Sequence, residues 1–491
     1  MKSTFTFLFL LGFGILSAQQ KTITVTNSTG ESVPFATISY GENQGTITNE
    51  DGQFTIANAS DDAVLEISAL GYSSQIIAIK DLETTVVLEN KYIDLDEVVV
   101  FNKDLDIKEI IENIKDNLAV NYGISPSRKK IFYRKTYDSE ISKAEIEVED
   151  SSIEELNQKL FDSICREIKQ KFSSYSEVVA DVYGDQKNQE LDIIKAANLF
   201  DPRSTESVEE LFERVQAIAE KNVKKDSYFK VRSGLIGTKL DQEEMDLAEE
   251  VEKEKTPAEK LKEEQSSKER LHTGVQAYIN NLLTQSIYSE DAKLDVLEKD
   301  RKYEFEITGH TVIDDELVYV INFRPDRSAD YKGTMYVNAQ DFGVFRVDFT
   351  NVQPIKKFKL FGVSHYEDVY RGKMIYTKNT DGKYDFSYLE LTHGATSGID
   401  RPLTIIEKNK NVKGRRKQNE LDMEIDFKFK QSEKTQVVVL SNEGDLKITN
   451  TAKTDGFEYQ TFKKYNPDFW QGYSIIEPNA ALKAFEIESQ D

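Results

Sequence analysis

One cysteine, Cys165, stands in a chain of 491 residues, so no intramolecular disulfide can form. Such sparing use suits a polypeptide that crosses a membrane by secretion. Cys165 falls at apolar spacing in a helical stretch, which reads as a buried structural thiol rather than a nucleophile. Histidine is nearly as scarce, with His272, His310, His365 and His393 the four present. Positive charge is short as well: 63 Lys and Arg against 87 Asp and Glu leave a net charge of −24. That balance excludes a nucleic-acid binder, which needs a concentrated basic face. It also disfavours broad docking onto an anionic membrane, while leaving room for a local basic patch. After the N-terminal segment no stretch reaches the length of apolar sequence that a membrane-spanning helix requires.

Catalytic signatures are missing too. There is no G-x-S-x-G, no phosphate-binding P-loop and no G-x-G-x-x-G, and carboxylate pairs carry no information in so acidic a chain. Zinc hydrolysis needs three ligands and an open position for water. "HYEDVY" offers His365 and Asp368, and His393 would be a third. A strand, however, sends positions i and i+3 to opposite faces, which is poor for chelation. The chain therefore reads as a non-enzyme with no cofactor and no metal.

What is present begins at the N-terminus. "MKSTFTFLFLLGFGILSAQQ" places Lys2 before an apolar run from Phe5 to Leu16 and small residues ending at Ala18. This is the three-part pattern of a secretory signal peptide over 1–18, with cleavage after Ala18. The mature product is then expected in the periplasm or at the outer membrane. No cysteine follows the cleavage site to carry a lipid anchor.

Residues 21–90 alternate in short runs such as "KTITVTN", "FATISY" and "TTVVLE", separated by Gly, Asn, Asp and Ser clusters. The pattern predicts a β-sandwich of about seven strands. Inside it "TNEDGQF" crowds oxygen-bearing side chains against Gly52. As a calcium loop it would put Ile47 first and Asn58 last, and neither supplies a carboxylate. It reads as a turn, with Phe54 returning to the core. A linker over 91–104 follows, then an α/β segment over 105–240. There Ile107, Ile110, Ile111, Ile114 and Leu118 mark one face of a helix. Ser152 with Glu155, and Ser207 with Glu210, have the spacing of capping boxes for helices near 152–172 and 207–221. Residues 241–270 are almost wholly charged and read as a solvated helix or flexible insertion. The remainder, 271–491, is a helix followed by long strands with one charged face. These predict a curved antiparallel sheet covered by helices.

"VPFATISYGENQGTITNEDGQFTI" followed by "LEISALGYSSQ" resembles the carboxypeptidase regulatory-like domain, a transthyretin-like sandwich. Pro34, Ala36, Thr48, Asp51, Gly52, Phe54, Gly71 and Tyr72 carry the likeness. In Gram-negative envelope proteins the module often precedes a TonB-dependent transporter, joined through a segment like "LDEVVV" at Leu95–Val100. Here no barrel follows, and the regulatory module brings no peptidase activity with it. Val318–Phe349 resembles the strand–turn units of half-barrel proteins related to lipoprotein carriers. The two likenesses together imply an envelope binding or scaffold protein, with an envelope protein, a glycan or a lipophile as its ligand. A lipophile carrier is the alternative, and a zinc carboxypeptidase-like hydrolase a more remote one. Two candidate surfaces stand out. Phe469, Trp470 and Tyr473 could dock a partner or cap the half-barrel core. Lys413, Arg415, Arg416 and Lys417, with Lys408 and Lys410, form a basic loop able to meet lipid head groups.

Overall fold

The computed structural model describes residues 21–486, apart from 42–43, 58–59, 61, 92–104, 123–125, 169, 186–188, 202, 242–256, 284, 290–291, 327, 380, 415 and 444–455. The expected signal peptide, nearly all of the linker, half of the charged stretch and Arg415 thus lie outside the described residues. Among the described residues no helix is long and apolar enough to cross a membrane.

The N-terminal unit has the seven expected strands: β1 (Thr22–Asn27), β2 (Thr37–Tyr40), β3 (Gln44–Ile47), β4 (Gln53–Thr55), β5 (Val64–Ser68), β6 (Gln75–Ala78) and β7 (Thr85–Leu88). They form two layers, β4-β1-β7 and β6-β5-β2-β3. Period-2 alternation turns Ile23, Val25, Ile38, Phe54, Leu65, Ile67 and Leu88 inward as its core. "TNEDGQF" is a corner. Asn49 Oδ1 accepts from the backbone N–H groups of Asp51 (2.9 Å) and Gln53 (2.8 Å), and Gly52 takes φ +73°. An added Cβ at Gly52 would lie 2.7 Å from the Val25 carbonyl, so no other residue fits there.

The larger unit is built on long strands: β8 (Ser127–Ser151), β9 (Lys171–Gly184), β10 (Gln189–Leu199), β11 (Ser227–Ser233), β12 (Ile236–Asp241), β13 (Tyr303–Ile313), β14 (Glu316–Pro325), β15 (Tyr331–Asn338) and β16 (Val344–Asn351). They continue with β17 (Lys356–Leu360), β18 (Val363–Lys378), β19 (Tyr384–Asn409), β20 (Lys417–Glu443) and β21 (Glu458–Phe462). Pairing runs β13-β14-β15-β16-β18-β19-β20-β8-β9-β10-β21, antiparallel except for the last pair. The end strands β13 and β21 do not pair with each other, so this curved sheet stays open. Strands from the 105–240 and 271–491 segments share it, with β8 pairing along β20. "LDMEIDFKFK" and "TQVVVL" belong to the single strand β20, because the polar run between them keeps its pairing with β8 and β19.

Among the described residues the α-helices are α1 (Ile107–Asn121), α2 (Gln158–Glu167), α3 (Arg203–Asn222), α4 (Pro257–Leu283) and α5 (Ala480–Lys483). Asp106 and Glu109 cap α1 reciprocally, and its Ile110, Ile111 and Ile114 are buried. They pack with Val275 and Ile279 of α4 onto one face of the sheet, in the main core. The expected box at Ser152 does not start a helix. Ser152 exchanges hydrogen bonds with Glu420, at 2.9 Å through its N–H and 2.8 Å through its Oγ, and Asn157 caps α2 instead.

Both faces of the sheet centre are covered. Ile131 and Tyr133 of β8 face the helix side, while Phe132 between them joins a second core with Ile47, Tyr388, Val438, Trp470 and Ile476. The N-terminal unit and the C-terminal segment thus lie on the face opposite α1 and α4.

Candidate functional site

The face that carries the N-terminal unit holds a continuous polar row. Glu306 pairs with Asn322, Asn322 with Thr334, Thr334 with Asp348, and Asp348 with Lys373. The row continues Lys373, Glu390, Gln436, Arg134 and Glu177, crossing nine adjacent strands from β13 to β9. Because side chains alternate along a strand, residues in mutual register share a face.

One end of the row is sealed. Arg134 and Glu177, 4% and 0% exposed, form an ion pair at 2.6 Å. Trp470 Nε1 donates to the free Glu177 oxygen at 2.8 Å, and Arg134 donates to the Ile476 carbonyl at 2.7 Å. Each buried charge therefore has partners. Phe469 and Trp470 are buried here, with rings 4.9 Å apart, which leaves neither available to dock a partner. Tyr473 is only partly buried and packs against the same core.

The middle of the row is bounded by the N-terminal unit. Phe35, held at φ +60°, places its ring 5.6 Å from that of Tyr388 and 3.4 Å from the Lys373 ammonium. Lys434 bridges Glu390 at 3.1 Å and also bonds Glu50. Gln436 donates to the Tyr388 hydroxyl at 3.0 Å. Burial, and behind it the neighbouring Arg346 guanidinium, pushes the Lys373 ammonium down to about 8.

Beyond Phe35 the row is open. A cavity of about 1670 Å³ runs from Phe35 and Glu50 across β19, β18, β16, β15 and β14 to β13 and the first turn of α1. Lys373, Asp348, Thr334, Asn322 and Glu306 line it, with Arg371, Lys332 and Arg324 one step along their strands. Arg346 is held by Asp348 at 2.7 Å, and Arg324 by Glu304 at 2.6 Å. The lining mixes both signs of charge with aromatic carbon, so it can bind polar, extended ligands by ion pairing and stacking.

The other residues singled out in the sequence lie elsewhere. Lys413, Arg416 and Lys417 are exposed in the turn joining β19 to β20, where Lys417 bonds Glu420. That turn lies at the opposite end of β19 from Glu390, so the basic loop does not join the row. His365 Nδ1 lies 2.8 Å from Ser397 Oγ, and His393 Nε2 lies 3.5 Å from Glu367. Among the described residues no three His, Cys, Asp or Glu side chains stand close enough to hold an ion. Cys165 is partly buried on α2, and burial, then Asp162, pushes its thiol up. None of the row residues was singled out in the sequence. Only the long-range register of nine strands brings them together.

Residues 23–100 match the model of the CarboxypepD_reg-like domain, so the N-terminal unit is a domain of that type. No curated protein matches the chain. Among solved structures, a putative outer membrane lipoprotein-sorting protein domain from Vibrio parahaemolyticus aligns with 70% of this chain and 96% of its own, at 8% identity and a TM-score of 0.20. A LolA superfamily protein from Nitrosomonas europaea aligns with 71% and 98%, at 11% identity and a TM-score of 0.19. The structure of the Pseudomonas aeruginosa MucA/MucB complex aligns with 70% and 100%, at 7% identity and a TM-score of 0.17. Superpositions this loose carry no argument about function.

Proposed function

We propose that the chain is an exported envelope protein that binds a polypeptide segment of a partner in the row-lined cavity and performs no chemistry on it. The observation that carries this reading is the in-register alternation of Asp348, Lys373 and Glu390 at the cavity wall. Charges of both signs spaced one strand apart suit a chain bearing both signs, and they suit an acyl chain badly. The CarboxypepD_reg-like unit contributes Phe35 and Glu50 to the wall, which gives it a structural part in the site. Export rests on the apolar run from Phe5 to Leu16.

The reading is tested by capture from an envelope fraction, with Lys373→Glu as the comparison. The expected result is a protein partner retained by the unmodified chain and lost with the variant. Stoichiometric zinc that disappears with His365→Ala would instead favour a hydrolase. A co-purifying lipid recovered by organic extraction would favour a carrier.

A further inference from the structure

The hairpin of β17 and β18 breaks the usual rule for its turn. Leu360 pairs with Val363, so Phe361 and Gly362 alone make the connection, at φ +47° and +78°. A two-residue turn with both φ positive favours Asn, Asp or Gly, and a bulky side chain there is strained. Yet Phe361 is 65% exposed, so packing does not repay that strain. The strand leading to it reads "KKFKL", exposed at every position, with Phe358 and Leu360 each about half exposed. From Lys356 to Gly362 there are three lysines and no acid, in a chain of net charge −24. Lys356 is bridged to Glu367 at 3.2 Å, whereas Lys357 and Lys359 have no carboxylate partner among the described residues.

A second hairpin meets the first head-on along β19. Ser233 pairs with Ile236, and Leu235 at that tip is 100% exposed. Arg401 donates to the Ser233 carbonyl, while its neighbour Asp400 donates its N–H to the Gly362 carbonyl at 2.8 Å. Two adjacent residues of β19 thus hold both apolar tips side by side.

We propose that these paired tips form a docking surface for an anionic lipid bilayer, with Phe361, Leu360 and Leu235 entering the interface and Lys357 and Lys359 meeting head groups. Apolar side chains at the tip with unpaired lysines beside them match the two layers of a membrane interface, hydrocarbon below and negative charge above. The patch lies outside the cavity lining and is independent of the ligand held there.

The test is co-sedimentation of the full chain with phosphatidylcholine vesicles, with and without phosphatidylglycerol. Phe361→Asn suits the turn conformation and leaves folding intact. It is expected to weaken binding to the anionic vesicles by about tenfold or more, the contribution of one buried aromatic ring. Lys357→Gln with Lys359→Gln is expected to weaken it about thirtyfold and to remove most of its salt dependence. All variants share the N-terminal apolar segment, so its contribution cancels. Equal sedimentation of all three proteins overturns the proposal. So does self-association that Phe361→Asn abolishes in the absence of vesicle binding.

Discussion

Lys373 sits where burial and a neighbouring guanidinium both oppose its charge, which holds its ammonium near 8 against an ordinary 10.5. Between those values the unfolded chain binds more protons than the folded one, so stability climbs as pH rises from 8 to 10.5. Below 8 the charged form is fully imposed on the fold and its cost is constant. Thermal melts of Lys373→Met are expected to show a higher melting temperature at pH 7 and a flatter rise above pH 8. An unchanged slope would contradict this account. Arg134 has the opposite character. Removing its charge by Arg134→Met strands Glu177 in the interior and is expected to cost roughly 3–5 kcal/mol in denaturant unfolding. Trp470→Phe loses one hydrogen bond to the same carboxylate and is expected to cost about 1–3 kcal/mol. A cost for Arg134→Met no greater than that for Trp470→Phe would mean the pair is not the buried unit described. Of these residues the sequence singled out only Trp470, the one tryptophan, beside Phe469 and Tyr473. It could not reveal that Glu177, hundreds of positions away, receives its N–H.

At the scale of elements, periodicity identified most strands and the start of α1, because burial on a defined face imposes a regular pattern. It failed where tertiary contacts override local signals. Ser152 and Glu155 have capping-box spacing, but Ser152 is taken by the β20 backbone. The middle of β20 lacks apolar residues and still pairs on both sides, since backbone hydrogen bonds need no side-chain signal. Close approach between elements also escaped notice. A Cβ at Gly343 would lie 2.1 Å from the Tyr384 ring. Gly343→Ala is therefore expected to lower stability by about 1–3 kcal/mol through overpacking, as read by chemical denaturation. A neutral effect would mean that the β15–β16 turn yields more easily than this packing implies.

Across the whole molecule, the CarboxypepD_reg-like unit is bound to the large sheet by a shared core as well as by polar bridges. Ile47 and Phe35 pack with Tyr388, Val438 and Trp470, and Thr22 donates to Glu477 at 2.8 Å. Residues that share a core unfold together. Calorimetry is expected to give one transition for the two units, and two well-separated transitions would contradict the shared core. The sequence made the sandwich legible through its turns and alternation. The cavity stayed hidden, because its wall is drawn from the N-terminal unit and from six strands of the large sheet whose register no local pattern encodes.

The charged row is proposed to hold a partner polypeptide. Quantitative capture from an envelope fraction, comparing the unmodified chain with a Lys373→Glu and Asp348→Lys double variant, tests it most directly. A protein partner is expected to be enriched on the unmodified chain and lost from the variant, while both melt as folded proteins. Equal recovery on a folded variant would contradict it.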